Sequence, residues 1–212
     1  MPSIDRTHKH DQDAIPTFLL ADVLTWTEQA TAPSSPAAND LVLYAFDVGG
    51  TTILAAKDSA GTVIDVTGRI GARVRKSTAV AVANNTVVVP TFDTERWDVG
   101  GCHSTSSNTG RLTAPLAGKY GVWAHVAFST DTDYTSLQVL IRLNGATFLS
   151  SDLLNVTYAS GERHVGVSTE WNFALNDYVE VVVVQVNTGA GAEEIVASQA
   201  LTPEFALHYL GN

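Results

Sequence analysis

An all-β sandwich or jelly roll is the fold this chain predicts, and three observations predict it. Gly, Thr, Val, Ser and Ala are plentiful while Lys is scarce, a composition that suits pleated, half-buried strands better than helices. Apolar residues alternate with polar ones along several short runs, which is the two-residue period of a strand with one face in a core. Turn signals built on Gly, Asn, Asp and Pro separate those runs. With 45% hydrophobic and 16% charged residues among 212, the chain has enough apolar material for one packed domain with an appendage.

Three zones separate along the chain. The first, residues 1–38, reads as an N-terminal anchor or arm followed by a linker. Pro16 suits the first turn of a helix, with Phe18, Leu19, Val23 and Trp26 at helical spacing behind it. Thr25 and Thr27 suit an extended arm equally, and both readings stay open. Either way the segment carries more apolar surface than it can bury alone, so it is expected to dock onto something. Pro33, Ser34, Ser35 and Pro36 then interrupt regular structure.

The second zone, residues 39–68, reads as a short β-repeat neck. Leu41, Leu43 and Ala45 alternate with Val42, Tyr44 and Phe46, followed by Gly49-Gly50, a second strand to Ala56, the turn Asp58-Ser-Ala-Gly61 and a third strand to Val66. Both faces of the first strand are apolar, so self-association or packing on a partner is expected to cover it.

The third zone, residues 69–212, carries the sandwich pattern. Val165, Val167, Thr169, Trp171 and Phe173 fall on one side of a strand, and Gly166, Ser168, Glu170 and Asn172 on the other. Tyr120, Val122, Ala124, Val126 and Phe128 repeat the pattern. So do Leu137, Val139, Ile141 and Leu143, and that strand ends in the hairpin pair Asn144-Gly145.

The block Phe92-Asp-Thr-Glu-Arg-Trp97, followed by Thr109-Gly-Arg-Leu-Thr-Ala-Pro-Leu-Ala-Gly-Lys-Tyr-Gly-Val-Trp-Ala-His-Val126, resembles the signature of the complement component 1q globular-head family. Leu143-Asn-Gly145, Leu175-Asn-Asp-Tyr-Val179 and Phe205-Ala-Leu-His-Tyr-Leu210 resemble later motifs of that family, in the family's order. Trp97 and Leu112 stand where the family has Tyr and Phe, and no collagen repeat precedes the domain. The resemblance implies a jelly roll related to tumour-necrosis-factor domains, packed as a homotrimer. Trp123, whose side chain needs an apolar partner, is expected at the trimer interface together with Tyr120, His125 and Tyr209.

The wording of the block, with Val74-Arg-Lys76 and His103-Ser-Thr-Ser-Ser-Asn108, is similar to complement-head domains of bacteriophage virion proteins and bacterial surface proteins. The expectation is a non-enzymatic phage virion structural protein. It would be a trimeric spike, fibre or decoration protein held to capsid or tail through residues 1–68. A bacterial surface adhesin is the alternative. No secretory signal is read at the N-terminus, so assembly in the host cytoplasm and carriage on a particle is the expected route outside. Loops around Asp98, His103, Asn108, Asp131, Asp133 and Tyr134 are the expected surface for a host glycan or protein, because binding residues concentrate on loops held by a rigid scaffold.

Other classes fare less well. A formal net charge of −10 disfavours nucleic acid, which needs cations to displace counterions, and the longest valine run is too short to insert in a membrane. Asp47-Val-Gly-Gly-Thr51 resembles the phosphate turn of actin-like sugar kinases, but the rest of that machinery is missing, so a hairpin turn is the better reading. His8 and His10 lack a third metal ligand, and a turn capped by Asp131 and Asp133 is preferred to a calcium loop. Cys102, the single cysteine, has no disulfide partner in its own chain. No catalytic residue, cofactor or metal is expected.

Overall fold

The computed structural model describes residues 25–130, 133–156, 161–189, 191–197 and 203–212. Every regular element among them is a strand. The N-terminal helix-or-arm question and the histidines His8 and His10 fall outside the described residues.

The first strands form a small antiparallel sheet. β1 (Leu41–Val48), β2 (Thr51–Asp58) and β3 (Val63–Asp65) stand in that order. β1 turns into β2 through Gly49 and Gly50, both at positive φ (56° and 78°), the backbone a tight primed hairpin turn needs. Asp47 Oδ1 accepts the Gly50 amide at 2.9 Å and closes the turn. The proline-serine stretch runs beside this sheet: Gln29 exchanges backbone hydrogen bonds with Ala45 and Asp47 (3.0 Å each). Lys57 Nζ donates to the Pro33 carbonyl at 2.7 Å.

The sandwich follows. Its strands are β4 (Gly71–Arg75), β5 (Val80–Val82), β6 (Thr94–Val99), β7 (Arg111–Thr113), β8 (Gly118–Phe128), β9 (Tyr134–Leu143) and β10 (Thr147–Asn155). They are joined by β11 (Arg163–Phe173), β12 (Tyr178–Asn187), β13 (Glu193–Ile195) and β14 (Glu204–Gly211). One sheet has the order β10-β9-β12-β7. The other is centred on β8 and β14, with β4 and β6 outside β14, β11 pairing the other edge of β8, and β13 and β5 continuing from the end of β8.

Inward-facing residues of both sheets fill the space between them. Val122, Ala124 and Val126 of β8 and Phe205 and Leu207 of β14 meet Leu137, Val139 and Ile141 of β9 and Val181 and Val183 of β12, all buried. Each such side chain stabilises the fold by roughly 1.5–3 kcal/mol relative to exposure. On β11 the alternation holds for Val165, Val167 and Phe173, but Trp171 is 44% exposed. It sits on an edge strand with β8 on one side only, so little covers so large a ring.

The small sheet is joined to the sandwich. Tyr44, Val48, Ile53 and Ala55 belong to the same hydrophobic cluster as Ile70, Cys102 and Leu207. Gly49 presses on the loop after β6 so closely that a Cβ there would lie 2.4 Å from the Gly100 carbonyl oxygen. Buried Asp65 accepts the amides of Thr67, Arg69 and Ile70 (2.9, 2.8 and 3.1 Å) and fixes the turn from β3 into β4.

Candidate functional site

The face of the larger sheet that points away from the sandwich core gathers the distinctive side chains. Register sets its membership. His125 of β8 stands opposite Glu204 of β14 and Gly166 of β11; Trp123 stands opposite Ala206 and Ser168; Gly121 stands opposite His208 and Glu170. Arg73 of β4 is opposite Ala206 on one side and Trp97 of β6 on the other. The centre is low in relief, because Gly121, Gly166 and Ala206 project little between the rings of Trp97, Trp123 and His125.

One carboxylate organises the polar part of this face. Glu204 is 8% exposed and takes Arg73 Nε at 2.8 Å, Arg96 Nε at 2.9 Å and Arg96 Nη2 at 2.7 Å, with a further bond from Arg73 Nη2. Burial works to raise its pKa, but the two guanidinium groups overcome burial and hold the carboxyl below its ordinary value. Arg73 also lies over the Trp123 ring, 5.0 Å from its centroid. His125 stacks on His164 (centroids 5.3 Å apart, planes 24° apart), and Trp97 meets His208 edge-on at 6.2 Å. Burial and then the neighbouring His164 push the His125 pKa down, against the pull of Glu204.

Of the four residues expected at a subunit interface, Trp123 and His125 lie on this face, half-buried. Tyr120 and Tyr209 do not. They are 0% and 2% exposed, and their rings meet edge-on inside the sandwich at 5.2 Å, with Phe173 against Tyr120 at 5.5 Å. The Tyr120 hydroxyl donates to the Leu116 carbonyl at 2.9 Å. Strand parity is the reason: Tyr120 shares a side with Val122 and Ala124, and Tyr209 with Phe205 and Leu207, so neither has surface left for another chain. The same parity was open to sequence reading and names Gly121, His164, Glu204, His208 and Leu210 for the outer face, which that reading missed. Arg73 had no comparable local signal, since its importance comes from Glu204, far away in sequence.

The expected ligand loops are not one surface. At the tip of the sandwich, the Ser129 amide donates to the Glu194 carbonyl at 2.8 Å and the Thr188 amide to the Asp133 carbonyl at 3.0 Å, so those two loops meet. The loop after β6 begins instead against the Gly49 turn, at the opposite end of β8, and runs back beside β6. Asp98 accepts the amides of Cys102 and His103 within that loop, at 2.9 and 3.0 Å. The His103 side chain is fully buried, its Nδ1 2.9 Å from Glu95 Oε1 and its Nε2 3.2 Å from the Thr109 carbonyl. Asp98 and His103 therefore brace the loop. Tyr134 is 3% exposed and packs edge-on against Phe128, so it too belongs to the core. Asn108 remains exposed, at φ 50°, beside a cavity of about 160 Å³ lined by Ser104, Ser107 and Arg111. Asp133 is exposed at the tip, and Asp131 lies outside the described residues.

The Asp47-Val-Gly-Gly-Thr turn is a hairpin whose Gly50 amide is already held by Asp47 and whose Gly49 is pressed on Gly100. Among the described residues no three His, Cys, Asp or Glu side chains gather to hold a metal. Cys102 is buried, and burial followed by the nearby Asp98 charge pushes its thiol pKa well up, the reverse of an activated nucleophile.

Set against solved structures, the chain is similar to murine APRIL, with a TM-score of 0.51 at 10% identity over 66% of this chain and 98% of that one. The fold is a tumour-necrosis-factor-like jelly roll. Eiger TNF from S. frugiperda also aligns, with a TM-score of 0.47 at 13% identity over 66% of this chain and 92% of that one. At such identities the likeness concerns the fold alone. No protein-family model and no curated protein matches the sequence.

Proposed function

We propose that this jelly roll is the head of a non-enzymatic bacteriophage virion protein. Its trimer forms a spike, fibre or decoration, its N-terminal segment attaches to capsid or tail, and its head contacts the host surface or stabilises the particle. The observation that carries the trimer is the outer face built around Trp123. It is low in relief and aromatic, and its nearly buried acid, Glu204, is compensated by Arg73 and Arg96, in a chain whose net charge of −10 makes most other approaches between copies repulsive. The virion setting is supported by the likeness of the Phe92–Trp97 and Thr109–Val126 blocks to phage complement-head sequences. The tip, where the loops carrying Asp133 and Thr188 meet, is the surface such a head would turn outward. A weak glycan contact repeated three times there gains through effective concentration.

Two measurements test this reading. Trp123→Glu places a charge in the centre of the face without entering the core. It should raise the trimer dissociation constant at least tenfold in sedimentation equilibrium, while the far-ultraviolet β signature stays intact; an unchanged assembly contradicts the interface. Immunogold labelling of purified particles should decorate them at a fixed site, and label confined to the bacterial surface would point to a cellular adhesin instead.

A further inference from the structure

The first half of β11 is lightly held. β11 pairs with β8 along one edge, and among the described residues no strand pairs its other edge. Near its start the inward side chains are Val165 and Val167, both buried, while Phe173, edge-on to Tyr120 at 5.5 Å, secures the far end. Gly166 lies between the two valines and brings no side chain to the packing. Arg163, the first residue of the strand, donates through Nη1 to the Gly161 and Glu162 carbonyls at 2.9 and 3.2 Å, and its Nη2 is buried without a partner. A buried donor left unpaired costs stability, so this end is poorly anchored.

At this end, on the outer face, His164 of β11 stacks on His125 of β8, centroids 5.3 Å apart and planes 24° apart. Neutral imidazoles pack in this way, whereas two imidazolium rings at that separation repel. The charged groups around the pair do little to offset a second proton. Glu204 of β14 stands opposite His125, but Arg73 of β4 and Arg96 of β6 already clamp it, and Arg75 of β4 stands on its other side. On β11 itself Glu162 and Arg163 precede His164 with opposite charges, and Glu170 lies opposite Gly121, farther toward the start of β8. Glu194 of β13 is exposed beyond the end of β8. Among the described residues none of Glu162, Glu170 and Glu194 forms an ion pair with either ring. Burial and then His164 hold the His125 pKa below its ordinary value despite Glu204, so the opened strand takes the proton more readily and acid favours opening.

We propose that β11 is an acid-released edge strand, whose first half leaves β8 when the stacked histidines become charged. Release bares Val165, Val167 and the backbone of Ala124 and Val126 next to the tip, while β8, β14, β9 and β12 keep their own pairings and the sandwich stays closed behind them. The device lies within one chain and stands independently of the trimer reading. It also differs from a loss of stability shared by the whole molecule, because one strand end opens before the rest.

Native-state hydrogen exchange of the full chain tests this, followed by mass spectrometry at about pH 7.5 and about pH 5.5 and corrected for the intrinsic dependence of exchange on pH. Between the two conditions, protection of the stretch from Arg163 to Val167 should fall at least threefold more than protection of β12. His164→Asn, an exchange at an exposed position, should abolish that excess while the chain stays folded. Should this variant fail to fold, His125→Asn makes the same comparison from the β8 side. A loss in β11 equal to or smaller than that in β12 overturns the proposal, because acid then acts on the whole fold or not at all. An excess that persists in the folded variant overturns it as well, because the opening then does not depend on the histidine pair.

Discussion

Gly49 and Gly50 separate two effects that glycine can have at one turn. Both hold positive φ, but a Cβ on Gly49 would lie 2.4 Å from the Gly100 carbonyl oxygen, whereas nothing stands within 4 Å of one on Gly50. Gly50→Ala should therefore cost only the left-handed backbone penalty, roughly 1–2 kcal/mol. Gly49→Ala should cost about 2 kcal/mol more, because the ribbon turn must move off the sandwich loop. Urea unfolding of the two variants checks the difference. Sequence reading recognises this turn but not its contact with Gly100, because nothing local encodes a partner 51 positions away. Cys102 sits in the loop after β6, and a free cysteine is among the residue types most often buried. With its thiol buried and its pKa pushed up, Cys102 should resist iodoacetamide in the native chain and react once urea unfolds it.

At the scale of elements, strand parity decides most of what the sequence could and could not say. β8 reads correctly from its alternation, with Val122, Ala124 and Val126 inward and Trp123 and His125 outward. By that same parity Tyr120 faces inward, so its aromatic ring is a core group and not an interface one. The loop after β6 was illegible for a different reason. Its direction is set by the Glu95–His103 contact and by Gly100 against Gly49, neither of which has a sequence period. Between β8 and β11 the stacked His125–His164 pair makes the packing sensitive to acid. The folded chain holds the His125 pKa below its ordinary 6.5, so the unfolded chain takes up the proton first as pH falls through that value. Stability is thus full above about pH 7 and declines toward about pH 5. Glu204 loses its contribution only lower, as pH falls below its ordinary 4.5 toward its depressed folded value. Urea midpoints at about pH 7 and about pH 5.5 should differ in the wild type, and the difference should shrink in His125→Asn; an equal difference in both chains assigns the acid sensitivity elsewhere.

Seen whole, the molecule pairs a saturated core with an unsaturated outside. Each sheet carries one nearly buried glutamate clamped by two arginines, Glu204 by Arg73 and Arg96 and Glu180 by Arg111 and Arg142, so neither sheet's outer side bears a loose buried charge. Large apolar side chains stay exposed on both sheets, Trp97 and Leu210 on the large one, where Trp123 is half-buried, and Leu41, Leu43 and Leu54 on the small one. The all-β fold was legible because alternation and turn residues agree along its length. Murine APRIL, which the fold resembles, shares only 10% identity with this chain, so the surroundings in which the head works rest on the motif resemblance and the chemistry of its faces. Self-association is the claim on which the rest depends, and sedimentation equilibrium of the full chain at neutral pH addresses it directly. The account predicts a species of three times the 22.5 kDa chain mass at micromolar concentration, and a single 22.5 kDa species throughout that range would contradict it.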